Sequence, residues 1–437
     1  MKKAAVHNLG CKVNAYEAEA MEQLLVEAGY EIVPFEEKAD VYVINTCSVT
    51  AMADKKSRQM LHRARRRNEA AIVIAAGCYV QTAEEELKKD LAVDILLGTN
   101  QKGRLIELIE EFEETGARQE SRLEIDRPVD YESFDGVVSR EHTRAFLKVQ
   151  DGCNQFCSYC IIPFARGRVR SESIDHVVKD VRKLADEGVK EVVITGIHLS
   201  SFGLYGNESY NNIDKNTRED RESLLGLLQA VNEIEGIERI RLGSLEPQVI
   251  TEEFAEGIAG LDKVCPHFHL SLQSGSDTVL KRMNRQYDTA QYEQACNRLK
   301  RVYEAPALTT DIIVGFPGET EEEFGETLDF VRRIGFYELH VFKYSKRPGT
   351  RAATMPDQVD EQVKNIRSEK LIELGEEQKK AYIRSFDGKR VSVLLEEEVE
   401  IRGKKMLTGF TERYVRAYAK TGSINSIVSV EFDSDIY

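Results

Sequence analysis

No apolar run in this chain outlasts a β-strand, so no membrane-spanning helix is expected. No signal or transit peptide is visible either, which points to a cytoplasmic protein that meets no membrane. In that reducing compartment the eight cysteines are poor candidates for disulfides and good ones for metal ligation. Positive charge is also in short supply: 60 lysines and arginines against 75 acids leave a formal net charge of -15, which ordinarily discourages nucleic-acid binding. The exception is local. From Lys55 to Arg67 stand seven basic residues and His62, with no acid among them. Such a run is either a solvated helix face or a phosphate-tracking surface, and Arg63, Arg65 and Arg66 are its candidates for RNA contact.

A fourth ligand is missing from the loop Asp151-Gly152-Cys153-Asn154-Gln155-Phe156-Cys157-Ser158-Tyr159-Cys160. Cys-x3-Cys followed by Cys-x2-Cys brings three thiolates round one point, where a closed tetrahedral zinc or iron–sulfur site uses four. A cubane on three cysteines keeps one iron open. An incomplete zinc site or a chance cluster of buried thiols are the alternatives. Phe156 and Tyr159 interleave the cysteines, and a predicted strand over residues 145–149 feeds straight into the loop. The spacing resembles the signature of radical S-adenosylmethionine enzymes. That resemblance implies a catalytic cluster on Cys153, Cys157 and Cys160, whose open iron chelates the amino and carboxylate groups of the cofactor.

Three more cysteines each close a segment that reads as a short buried strand: Cys11 after residues 4–7, Cys47 after 41–44 and Cys78 after 72–75. Residues 93–97 supply a fourth strand. Asn14 with Glu17 three residues later reads as a capping box opening a helix that Gly29 stops. Alternating strands and helices give a parallel sheet with right-handed crossovers, so the three cysteines meet at its carboxyl edge, where open α/β folds place ligands. Three unrelated core thiols would give the same count. Cys265 and Cys296 stand alone and read as small core residues.

Too few strand–helix units follow to close an eightfold barrel. Strands over 145–149, 191–195, 239–242, 267–271, 308–314 and 339–343 alternate with helices over 174–187, 224–235, 289–303 and 321–334, which suits a partial (β/α)6 barrel with its functional loops at the carboxyl ends of the strands. Thr195, Gly196, Ser244, Glu246, Gln273 and Asp311 stand at or near those ends and are candidates for holding a cofactor; a structural hydrogen bond is the alternative for each. Residues 206–221 read as a mobile insertion. Beyond a long charged helix, 357–386, short strands over 391–395, 406–410, 414–419 and 427–432 with glycines between them predict a small antiparallel β-barrel. Arg402, Lys404, Arg413 and Arg416, interleaved with Phe410, Tyr414 and Tyr418, suit RNA, since stacking and cation contacts need these residue types together; an ordinary amphipathic β-domain is the alternative.

In that order the parts resemble the radical S-adenosylmethionine methylthiotransferase family from end to end. The opening His7-Asn8-Leu9-Gly10-Cys11-Lys12-Val13-Asn14-Ala15-Tyr16-Glu17 is similar to the branch acting on N6-threonylcarbamoyladenosine in tRNA, where the isopentenyladenosine branch typically has Gly-Cys-Gln-Met-Asn and the ribosomal-protein branch Gly-Cys-x-Lys-Asn. Ile162-Pro163-Phe164-Ala165-Arg166-Gly167-Arg168, Ser271-Leu272-Gln273-Ser274-Gly275-Ser276 and the stretch from Asp311 to Thr320 match core motifs. The resemblance implies an α/β fold in three parts: a parallel-sheet cluster-binding domain over 1–113, a radical core over 139–369 and a TRAM barrel over 372–437. It further implies methylthiolation of carbon 2 of the modified adenosine next to the anticodon. Two 4Fe-4S clusters would serve it, on Cys11, Cys47 and Cys78 and on Cys153, Cys157 and Cys160, with two molecules of S-adenosylmethionine, an external electron donor and a sulfur donor. Arg166 and Arg168 suit a cofactor carboxylate or an RNA phosphate. The rival readings are methylthiolation of an aspartate in a ribosomal protein, and a non-catalytic iron–sulfur RNA-binding protein.

Overall fold

The computed structural model describes every residue except 123, 126, 138–142, 209–221 and 437. Most of the 206–221 insertion and the start of the expected core domain therefore lie outside the described residues. The chain opens with a parallel sheet in the order β2-β1-β3-β4-β5-β6: β1 (Lys3–Asn8), β2 (Glu31–Ile32), β3 (Val41–Thr46), β4 (Ile72–Gly77), β5 (Ile95–Leu97) and β6 (Gln119–Ser121). Its central strands read as unbroken apolar runs because both faces are covered. Tyr42, Ile44, Val73 and Ala75 pack on Leu61 of helix α2 (Ala51–Arg67). Val41, Val43, Ile72 and Ile74 pack on Met21 and Leu25 of α1 (Lys12–Glu27).

The start of α1 corrects the sequence reading. Cys11 occupies the N-cap without capping a backbone N–H, its thiol donating instead to Asn14 Oδ1 at 3.8 Å, and Asn14 and Glu17 lie buried within the first turns, so no capping box forms. These polar groups are drawn away by tertiary partners described below. Gly29 does end the helix, at a φ of 86° that suits glycine.

The six expected core strands are present as β7 (Arg144–Asp151), β9 (Glu191–Gly196), β10 (Arg239–Leu242), β11 (His267–His269), β12 (Ala307–Val314) and β13 (Glu338–Lys343), with a short antiparallel β8 (Arg170–Ser171) beside β7. Strands β7, β9 and β10 pair in parallel, as do β11, β12 and β13. Parallel bridges Ile240–Val264 and Leu245–Leu270 join the two halves into one curved partial barrel. Alternate residues point outward: Leu147, Val192, Ile194, Ile240, Leu242, Phe268 and Leu308 share one core with the surrounding helices, among them Ile174–Asp186, Thr289–Val302 and Glu321–Ile334. The residues between them, including Arg144, Glu191, Arg241, His267, His269 and Asp311, face the lumen.

After the helix Glu361–Arg384 comes a curled antiparallel sheet in the order β16-β15-β14-β17, made of β14 (Arg390–Ile401), β15 (Lys404–Thr411), β16 (Arg416–Ala419) and β17 (Ile427–Glu431). Arg402 and Gly403, both at positive φ, form the two-residue turn between β14 and β15. This sheet covers the amino-terminal end of the barrel. Arg239 donates to the carbonyls of Phe410 and Ser392 at 2.8 and 2.9 Å, Arg241 to that of Glu412 at 2.9 Å, and Arg144 pairs with Glu396 at 2.8 Å.

Candidate iron–sulfur and cofactor site

At the carboxyl end of β7 the chain must turn sharply to present three cysteines. Gly152 makes that turn at φ 73°, where a Cβ would lie 1.9 Å from the Arg168 carbonyl, so no other residue fits. The loop is then pinned: Cys153 N–H donates to the Gly167 carbonyl at 3.1 Å, Ser158 N–H to that of Met283 at 2.9 Å, and Cys160 N–H to that of Cys157 at 2.9 Å. Cys153 and Cys157 are buried and Cys160 is partly so; all three are free thiols. Burial pushes Cys160 up to about 12, with Cys157 adding to the rise, and Cys153 goes well above the ordinary thiol range for the same reasons. Thiols whose charged forms repel one another and lack water are relieved by a shared cationic centre. Arg285 donates to Cys157 Sγ at 3.1 Å and is paired with Glu246, which His198 Nε2 approaches to 3.5 Å.

The other triad forms at the neighbouring sheet edge. Cys47 and Cys78 directly follow adjacent strands β3 and β4, and Cys11 follows β1 on the far side of β3. Burial pushes Cys78 up to about 11 against the pull of Arg166, with Cys47 and Cys11 adding to the rise, so the three thiols sit within electrostatic reach of one another. Asn14 ties their loops together, donating to the Leu9 and Thr46 carbonyls at 2.8 and 3.0 Å, and accepts from Arg166 at 2.7 Å. Each triad is a set of free, crowded thiols with a guanidinium nearby, and fits an iron–sulfur cluster.

Arg166 thus reaches the second triad rather than the first. Its guanidinium is engaged by Glu17 at 2.8 Å, Asp151 at 3.2 Å and Asn14. Arg168 lies over the Phe156 ring at 4.9 Å. Among the expected cofactor residues, Glu246 lies beside the cysteine loop through Arg285. Gly196 pairs with Gln150 at the end of β9, Thr195 is buried one residue before it, and Ser244 is exposed. Gln273, at φ 71°, bridges in backbone to Ile312, and Asp311 Oδ2 lies 3.3 Å from His269 Nε2.

The basic helix α2 is less bare than its sequence. Arg58 pairs with Glu86 at 3.1 Å, His62 with Asp90 at 2.9 Å and Arg63 with Glu36 at 3.8 Å, while Arg65 is turned to Asp94 and the Ala71 carbonyl. Lys55, Lys56 and Arg66 are exposed. In the C-terminal sheet Arg413 donates to the Glu304 and Ala305 carbonyls at 2.8 and 3.1 Å, Arg402 to that of Asp435 at 3.0 Å, Arg416 pairs with Glu397 at 2.9 Å, and Lys404 is exposed.

Sequence reasoning passed over Arg285, His198, Lys102 and Lys148. His198 had a signal, standing two residues beyond the end of β9; Arg285 had none in its local pattern.

The comparisons with known proteins follow the same layout. The family described as "Uncharacterized protein family UPF0004" matches residues 3–98, and the radical SAM superfamily matches 147–331. The threonylcarbamoyladenosine tRNA methylthiotransferase MtaB of Bacillus subtilis (strain 168) is 42% identical over 434 residues, covering 99% of this chain and 94% of its own length. This chain belongs to the radical S-adenosylmethionine methylthiotransferase family. As a member, the methylthiotransferase uses 4Fe-4S clusters and S-adenosylmethionine as cofactors. The protein of the same name from Aquifex aeolicus (strain VF5) is 41% identical, covering 91% and 93% of the two chains. A tRNA-2-methylthio-N(6)-dimethylallyladenosine synthase from Clostridium tetani is 34% identical, covering 98% and 92%. In fold, the methylthiotransferase is similar to the radical S-adenosylmethionine methyltransferase TsrM from Kitasatospora setae, with a TM-score of 0.60 at 15% identity over 81% of this chain and 77% of that one.

Proposed function

We propose that this protein methylthiolates carbon 2 of N6-threonylcarbamoyladenosine next to the anticodon of tRNA. The observation that carries the reading is the pair of cysteine triads, each of three free thiols and each at a carboxyl sheet edge, held together by Arg166, Glu17 and Asn14. The sequence relatives, two of them named for that nucleoside, support the substrate. Residues 1–113, 139–369 and 372–437 act as cluster-binding, radical and RNA-binding domains.

Carbon 2 of an adenine carries a C–H bond that side-chain acids and bases cannot usefully ionise, so the bound clusters and S-adenosylmethionine supply the radical and sulfur chemistry. The chain supplies the rest. Cys153, Cys157 and Cys160 hold one cluster, with Arg285 compensating thiolate charge. Cys11, Cys47 and Cys78 hold the other, with Arg166 in the same role. Glu246, Gln273, Asp311, Thr195, Gly196 and Ser244 border the space for S-adenosylmethionine. An external electron donor and a sulfur donor act in the cytoplasm.

Anaerobically reconstituted protein, tRNA carrying the threonylcarbamoyl nucleoside, a reductant and S-adenosylmethionine should yield the methylthio nucleoside on digestion and mass spectrometry. Alanine at Cys11, Cys47 or Cys78 should abolish that product while 5′-deoxyadenosine is still released. Loss of both in proportion would overturn the division of labour; 5′-deoxyadenosine with no modified nucleoside in the wild type would overturn the substrate.

A further inference from the structure

The barrel lumen carries a group of cations and imidazoles that neither triad uses. His269 has its Nδ1 hydrogen bonded with Thr309 Oγ1 at 3.0 Å and its Nε2 3.3 Å from Asp311 Oδ2, and the His340 ring stacks on it at 5.6 Å. Two residues before it, His267 is 7% exposed and its Nδ1 has no hydrogen-bond partner. A buried polar atom without a partner is costly unless something else satisfies it.

Nearer the base, the arginines are already matched. Arg241 holds Glu191 through two hydrogen bonds of 2.8 and 3.1 Å, and Arg144 holds Glu396. Lys12 is different. It begins α1, stays solvent-accessible, and lies within electrostatic reach of Arg241, Arg144, His267 and one carboxylate, Glu191, which Arg241 already holds; among the described residues none forms an ion pair with it. With both arginines matched and Glu191 taken by Arg241, the charge of Lys12 is the one left over at this concave wall, and it favours an anion there.

Carbon 2 and N6 leave the adenine ring in different directions. With carbon 2 turned to the cysteine triads, a substituent on N6 runs away from them along the lumen. We propose that Lys12 and His267, with the His269, Asp311 and His340 set, form the pocket for a carboxylate-bearing N6 substituent and set the preference for it over an uncharged one. Lys12 receives the carboxylate, His267 Nδ1 and the exposed His340 ring supply the remaining hydrogen bonds, and Asp311, at the border with the cofactor space, positions the set by holding His269. This rests on the substrate reading above.

The test uses reconstituted enzyme and two tRNAs that differ only in the N6 group, the threonylcarbamoyl acid and its methyl ester. The quantity read is the ratio of kcat/KM for acid over ester, which a partial loss of folded or cluster-loaded enzyme does not move. Wild type should favour the acid. Lys12→Gln should lower the ratio about tenfold, as loss of the one cation that faces the carboxylate does, and Lys12→Arg should keep it. His340→Gln, on an exposed side chain, is the second variant and should lower the same ratio. An unchanged ratio in both neutral variants, or a wild type without preference, would overturn the pocket. Metal beyond the iron of the clusters, lost in His269→Gln, would overturn it in favour of a cation site. Ester and acid both unmodified by wild type would overturn the substrate reading, and the pocket with it.

Discussion

Arg166 Nη1 meets Glu17 Oε1 at 2.8 Å with both side chains fully buried, and the pair ties the N-terminal sheet to the barrel. Lys102 and Lys148 also approach Glu17, at 3.3 and 3.1 Å, while Asp151 takes Lys148 and Arg170 at 2.9 Å each. Four cations therefore surround two carboxylates, and the positive excess sits beside Cys78. Burial alone would raise Glu17, but Arg166, Lys102 and Lys148 outweigh it and hold the carboxyl well below its ordinary range. Breaking such a network by removing one partner strands the others. Glu17→Gln should cost about 3–5 kcal/mol, read by denaturant unfolding at pH 7. Because the folded carboxyl titrates lower than the unfolded one, its contribution is full above about pH 4.3 and fades as pH falls toward the folded value. The acid limb of stability should therefore be steeper in wild type than in Glu17→Gln; parallel limbs would mean that Glu17 does not carry the charge here.

Arg285 is expected to tune the cluster of the cysteine loop. Its hydrogen bond to Cys157 Sγ and its positive charge both favour the reduced, more negative state, so Arg285→Met should move the midpoint potential negative by on the order of 60 mV. Glu246→Gln frees that charge from its carboxylate and should move the potential the other way. An EPR-monitored redox titration, with Cys11, Cys47 and Cys78 all changed to alanine so that one cluster titrates, separates the two. Potentials that stay put in both variants would detach the pair from the cluster.

How much of this was legible in the sequence follows from where each signal lives. The strands β3 and β4, buried along their whole length, announce themselves as apolar runs, and a cysteine just beyond each gives away the sheet edge. The second half of β14, Glu396 to Ile401, carries no such signal because it is acidic and largely exposed. Asn14 and Glu17 have the residue types and spacing of a capping box, and nothing local shows that Arg166 claims both. The same blindness affects the basic run of α2: it contains no acid, but Glu36, Glu86, Asp90 and Asp94 arrive from other elements to pair with it.

That pairing changes which charges should read RNA. Lys55, Lys56 and Arg66 remain exposed on α2, whereas Arg65 is held by Asp94 and by the Glu69 and Ala71 carbonyls at 2.8 and 2.7 Å. Reversing Lys55, Lys56 and Arg66 to glutamate should weaken tRNA binding and flatten the log–log salt slope by about two to three, since each phosphate that a cation no longer neutralises takes away nearly one. Arg65→Glu should instead lower thermal stability. An unchanged slope in the triple variant, measured by titration at several salt concentrations, would leave α2 a solvated face.

Phe410 and Tyr414 offer the sharpest distinction between an RNA platform and a structural clamp. Their rings stack at 4.4 Å and 13°, Arg144 sits 5.1 and 5.2 Å from the two centroids, Arg241 lies 4.7 Å from that of Tyr414, and His267 packs at 5.1 Å. These arginines reach the rings from the ends of β7 and β10, so the pair joins the C-terminal sheet to the barrel base. A clamp of this kind contributes through packing and cation–π contact, and Tyr414→Ala should cost about 2–3 kcal/mol, less than a fully buried aromatic. Hydrogen exchange should show β14 and β15 losing protection ahead of β7. An RNA-stacking residue would behave in the opposite way: alanine there costs about 1–3 kcal/mol of affinity per base and leaves the melting temperature alone. Tyr414→Ala with intact stability and weakened tRNA binding would therefore move these rings from the barrel base to the RNA face.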